Sequence, residues 1–137
     1  MKKGMLILLA FASLGAGMAW AASPKEDVFK GKLFAPNVIL EHKAELGLSK
    51  QQFTEIRRAV VEVQSNVAEH EWDIAEAYQN IMAELDKTPI DEEQVLEHVS
   101  AALRAENEVK KLQVGMLVQL KNLLTAEQIE YLESVRE

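Results

Sequence analysis

Apolar residues recur at steps of three and four along nearly the whole chain after residue 36, a period that predicts helices. Between residues 49 and 87 the apolar positions are Phe53, Ile56, Val60, Val63, Val67, Ile74, Tyr78, Ile81 and Leu85. Between 91 and 123 they are Val95 or Leu96, Val99, Leu103, Val109, Leu112, Met116, Leu120 and Leu123. Both sets are narrow seams of the coiled-coil kind rather than broad buried faces. No alternating β-branched run bounded by turn residues appears, so no strand is expected. Prolines 24, 36 and 89 each mark a place where a helix can begin.

These signals divide the chain into four helices. The first opens near Pro36 and closes at Gly47, a residue suited to the position just past a helix end. The second runs from Ser49 to about Lys87, the third from between Thr88 and Asp91 to about Leu123, and the fourth from Thr125 onward. Helices two and three, joined by a short link, make an αα-hairpin with arms about 50 Å long. Folding about that link sets Ile81 against Leu96, Tyr78 against Val99, Ile74 against Leu103 and Phe53 against Leu124. Two helices that bury one stripe each leave their other faces wet. The expected fold is therefore all-α, four helices on a long antiparallel hairpin, completed by a second copy as a dimeric cradle. In the alternative, helices one and four fold back and close a small bundle. Gly115, inside helix three, costs about 1 kcal/mol of propensity and suggests close helix approach or a slight bend.

The first residues change the setting. Lys2 and Lys3 form a positive start, Met5 to Leu14 an apolar run, and Ala19-Trp20-Ala21 a cleavage site. The run is shorter than the ~20 residues of a membrane span, and Gly15 and Gly17 interrupt it. The expected organisation is a signal peptide over 1–21, a flexible arm over 22–35 and the helical domain over 36–137, with a periplasmic mature protein. Phe29, Leu33 and Phe34 are the arm's docking candidates.

Charge and cysteine content narrow the chemistry. The chain carries −7, and loss of Lys2 and Lys3 would leave −9. Nucleic acid needs a basic footprint and is disfavoured, as are anionic lipid headgroups; basic proteins and metal cations are suited. With no cysteine, disulfides, thiolate metal sites, a lipid anchor and a cysteine nucleophile are all excluded.

Leu48-Ser49-Lys50-Gln51-Gln52 and Leu124-Thr125-Ala126-Glu127-Gln128 share the pattern Leu-[Ser/Thr]-x-x-Gln. Each is a capping box behind a hydrophobic staple, with the roles falling on Leu48, Ser49 and Gln52 and on Leu124, Thr125 and Gln128. The two boxes, with the signal peptide, short first helix and long hairpin, resemble the Spy/CpxP family of periplasmic stress proteins. A related heavy-metal-resistance and metal-sensor branch shares this layout. The resemblance runs from about Pro36 to the C-terminus. It implies an all-α fold, commonly a dimeric cradle, acting as an ATP-independent chaperone or as an adaptor on a membrane stress sensor. For the metal branch it implies two histidines one turn apart on the first helix, a glutamate on the second and a histidine on the third. Here His42 stands alone, with Val38 and Leu46 one turn away and Val60 and Met116 at the other two positions. That set lacks the three or four donors that zinc or nickel takes.

Other candidate residues come from the seams. His70 and Glu71 interrupt the helix-two seam and fall opposite Glu106 and Asn107, either as a polar layer that sets register or as a cation- or pH-sensitive site. His42 reads as a half-buried histidine bonded to a carbonyl, or as a residual metal ligand. Trp72, Tyr78 and Met82 form a candidate client or dimer surface. No phosphate loop, His-Glu-x-x-His or G-x-S-x-G appears, and a slender hairpin leaves little room for a catalytic cleft.

The expectation is a non-enzymatic periplasmic protein that binds misfolded proteins or a membrane stress sensor, forms a homodimer and needs no cofactor. A periplasmic heavy-metal sensor holding a divalent cation is the alternative.

Overall fold

The structure is a computed structural model that describes Phe29 and residues 31–135. The expected signal peptide over 1–21, residues 22–28 and 30 of the expected arm, and residues 136–137 lie outside the described residues. The described chain is helical: α1 spans Pro36–Glu41, α2 Lys43–Leu46, α3 Lys50–Leu85, α4 Glu92–Asn122 and α5 Ala126–Val135. No strand occurs among the described residues.

The expected first helix is two helices. At His42 the backbone leaves helical geometry (φ −103°, ψ 17°), so this residue ends α1 and opens α2. Gly47 then stops α2 with φ 60°, a left-handed conformation open to glycine. The N–H groups of Gly47 and Leu48 bond back to the carbonyls of Ala44 and Lys43, closing the last turn.

Helix α3 starts where Ser49 Oγ accepts the Gln52 N–H at 3.0 Å. Asp91 Oδ1 does the same for Gln94 N–H at the start of α4, and Glu92 and Glu93 add negative charge to that first turn. At 36 and 31 residues, α3 and α4 are about 54 and 46 Å long. Two contacts give their relative direction: Gln52 donates to the Leu123 carbonyl and the Tyr78 hydroxyl to Glu106. Contacts that descend on one helix while they ascend on the other place α3 and α4 side by side and opposed.

Packing differs between the two ends of this pair. Where α3 begins and α4 ends, Ile56, Val63, Val67, Met116 and Leu120 join Phe34, Ile39, Leu46 and Leu132 in one core. Helices α1, α2 and α5 thus close a small bundle at this base. The arm takes part, since Phe34 is buried among these residues. Each such side chain contributes about 1.5–3 kcal/mol through burial.

Toward the link, the buried residues are instead Ala77, Ile81, Ala102 and Ala105. This corrects the expected choice of seam residues. Tyr78, Leu85, Leu96 and Leu103, assigned to the seam by their apolar three-and-four spacing, are all exposed, the last two at 53% and 52%. The alanines bring the backbones together and leave no depth for leucines, which turn to one flank. The expected polar layer is divided for the same reason. His70 lies on one flank of the seam, and Glu106 is on the other with Tyr78. Gly115 does not mark a close approach either, because a Cβ there would meet nothing within 4 Å.

Denaturant unfolding of two variants checks this packing. Ala105→Leu overfills the alanine seam and is expected to cost about 1–3 kcal/mol. Gly115→Ala meets open space and is expected to stabilise by about 1 kcal/mol.

Candidate functional site

The two capping boxes do more than open helices. Gln52 Oε1 accepts the Ser49 N–H at 3.0 Å, and Gln128 Oε1 accepts the Thr125 N–H at 2.9 Å, as a capping box requires. The two side-chain amides also bond each other, Gln52 Nε2 to Gln128 Oε1 at 2.8 Å and Gln128 Nε2 to Gln52 Oε1 at 3.2 Å. Each then donates its second proton to the carbonyl before the other's box: Gln52 to Leu123 at 2.9 Å and Gln128 to Leu46 at 3.1 Å. Both amides therefore use both donors and both acceptor positions. Gln128, the buried polar residue of this core, is fully satisfied. The repeat in the sequence encodes a clasp between the start of α3 and the start of α5.

Above this clasp, helical spacing places two stripes side by side. On α3 the stripe passes through Phe53, Val60, Glu71, Tyr78 and Leu85, with Met82 beside it. On α4 it passes through Glu92, Leu96, Val99, Leu103, Glu106, Leu117 and Lys121. The 3.0 Å hydrogen bond from Tyr78 to Glu106 shows that they share one side of the pair. At the base this side is partly covered by the chain's own residues, although Phe53 remains 38% exposed. Lys43 Nζ lies 5.8 Å from the centre of the Phe53 ring, and Lys121 Nζ lies 5.9 Å from that of Phe34 while donating to the Lys32 carbonyl. Beyond Glu71 and Glu106 nothing in the described chain covers it. Met82, Leu85, Leu96 and Leu103 stand exposed there, with Ile90 at the link.

This distal half of the pair is acidic on all its sides, the open face itself carrying Glu71, Glu92 and Glu106. Residues 69–108 hold twelve carboxylates against two cations, Lys87 and Arg104, a formal −10 where the whole chain carries −7. Tyr78 senses one of these carboxylates. The Glu106 carboxylate accepts its hydrogen bond and faces it with negative charge, and slight burial adds to both, raising the phenol above its ordinary value of 10.0.

The opposite flank of the pair is a shallow polar groove of about 400 Å³. His70, Asp73, Asn80, His98, Arg104 and Glu108 line it over a floor of Ala77, Ala101 and Ala105. His98 escaped the sequence reading, although its spacing to Ala102 and Ala105 marks it as a seam residue. His70 thus shares a groove with His98 rather than with Glu71 or Glu106. His42 is half-buried and meets the Tyr131 ring edge-on, with centroids 5.8 Å apart. Among the described residues, no group of three His, Asp or Glu is placed to hold a metal ion. Trp72 is 74% exposed and points away from α4 on the back of α3. No described helix is long and apolar enough to cross a membrane.

Comparison with protein families, with curated proteins and with solved structures finds no match to this chain.

The clasp is testable by a double-mutant cycle on unfolding free energy. Gln128→Ala strands the Leu46 carbonyl and half of Gln52, with an expected cost of about 1–3 kcal/mol. Gln52→Ala is expected to cost less in the Gln128→Ala background than alone, by about 0.5–3 kcal/mol, because the partner is already gone.

The Tyr78–Glu106 contact makes a second prediction. In a Tyr131→Phe background, absorbance titration of Tyr78 should give a value above 10.0, and Glu106→Gln should lower it. The raised value means that the folded state holds this proton more tightly than the unfolded state does. Its stabilisation is complete below the unfolded value and is lost as pH rises through the folded one.

Proposed function

We propose that this chain is a non-enzymatic exported protein of the cell envelope that binds other proteins. In this reading it resembles the Spy/CpxP stress proteins, working as an ATP-independent chaperone or as an adaptor on a membrane stress sensor. A helical hairpin presents the binding surface, and two copies pair to form a cradle.

The observation that carries this reading is the open distal face. Soluble proteins rarely leave a contiguous run of large apolar side chains in water unless it meets a partner. Here Met82, Leu85, Leu96 and Leu103 stand exposed, whereas at the base the same stripe is partly covered, with Val60 and Leu117 packed against the core. The surface is elongated and shallow, which suits a polypeptide segment better than a small substrate needing an enclosed cleft. Tyr78 and Met82 belong to the binding face in this reading, and Trp72 to the contact with a second copy. Trp72 and Val61 are exposed three turns apart on the back of α3, leaving that face for the second copy.

The test is suppression of aggregation. Equimolar protein, without ATP, should reduce light scattering from chemically denatured clients on dilution. No suppression across several clients, basic ones included, would overturn the chaperone role and favour the sensor reading.

A further inference from the structure

We infer that the open distal face is a docking surface for a basic amphipathic segment of another protein, apolar along one side and flanked by lysine or arginine. The inference rests on the protein-binding reading above and names the chemistry of what is bound. Three observations converge on it.

The first is the layout of the face. Its centre is apolar, with Tyr78, Met82, Leu85, Leu96, Val99 and Leu103. Its ends are acidic, with Glu71 and Glu106 toward the base and Glu92 toward the link. An incoming segment that buries apolar side chains here brings its flanks against carboxylates. Cations on those flanks gain charge-assisted contacts, while anions are repelled.

The second is the charge of the surroundings. At −10 over residues 69–108, this half of the pair attracts cationic partners over about one Debye length, near 10 Å at ordinary salt. The same field disfavours a second copy docking through this face, because two strongly acidic surfaces would meet.

The third is a precedent within the chain. The segment that packs at the base of the same stripe reads Gly-Lys-Leu-Phe-Ala-Pro-Asn-Val-Ile-Leu over residues 31–40: apolar, with one lysine and no acid. Phe34 is buried and the Lys32 carbonyl holds Lys121. The distal half offers a continuation of that surface with more negative charge.

Fluorescence anisotropy with two labelled synthetic peptides tests the inference on the purified protein. Each peptide spans about five helical turns, one built from Leu and Lys in amphipathic spacing, the other from Leu and Glu in the same pattern. The Leu/Lys peptide should bind at least ~10-fold more tightly than the Leu/Glu peptide, and should weaken by ~10-fold between about 50 and 500 mM sodium chloride. Leu96→Ser with Leu103→Ser should reduce binding by ~10-fold or more while the circular dichroism melt is retained, since both residues are exposed. Glu71→Gln with Glu92→Gln and Glu106→Gln should abolish the preference between the peptides.

Equal affinity for both peptides, or binding unchanged in both sets of variants, would overturn the inference. So would a dimer that the serine variant dissociates, which would make the face a contact between copies. Client protection without Leu/Lys binding sinks this inference and leaves the protein-binding reading standing. Leu/Lys binding without client protection removes the chaperone role and leaves the adaptor role and this inference standing.

Discussion

The base of this protein hangs on two side-chain amides. Gln52 and Gln128 each cap their own helix, bond each other, and satisfy a carbonyl that ends the preceding helix. Helix starts carry unpaired N–H groups and helix ends unpaired C=O groups, and burying either without a partner is costly. Bringing the end of α2, the start of α3, the end of α4 and the start of α5 to one place would bury all of these together. The reciprocal amide pair makes that junction possible, and around it Leu46, Leu124 and Leu132 are buried. A hydroxyl cap alone would open each helix and leave the helices free to diverge.

From this junction the chain projects two long helices whose contact changes character along their length. Near the clasp, large side chains interdigitate with three further helices. Farther out the contact narrows to Ala77, Ala102 and Ala105 with Ile81. Small residues allow close backbones but bury little area each, so the distal half gains less from its own seam. Its large apolar residues cannot enter the closed alanine contact and stand on one flank. The exposed face is thus a consequence of the seam composition.

Charge then separates the ends. Lysines 43 and 121 sit over aromatic rings at the base, while the open half, at −10, exceeds the net negative charge of the whole chain. A face both apolar and acidic repels copies of itself and anionic surfaces, and retains affinity for segments that are apolar and basic. Such selectivity follows from fixed charge on a shallow surface and requires no enclosed pocket. Tyr78 marks the boundary of the two regimes, its hydroxyl held by Glu106.

The sequence by itself determined the all-α class, the long second and third helices to within a few residues, the stop at Gly47 and both capping boxes. These are local matters of period, cap chemistry and backbone freedom, and they involve residues close together in the chain. It also carried the excess of acid between residues 69 and 108. The tertiary structure alone decided which apolar residues are inside. A three-and-four spacing marks a stripe wider than the contact, and size favoured Leu96 and Leu103 over Ala102 and Ala105. Alanine gives no hydrophobic signal of that strength, yet the small residues lie where the backbones meet. The break at His42, the docking of Phe34, the groove shared by His70 and His98, and the bond between Gln52 and Gln128 belong to the same class. Each joins residues distant in sequence or depends on what packs beside it, and no local pattern specifies the partner.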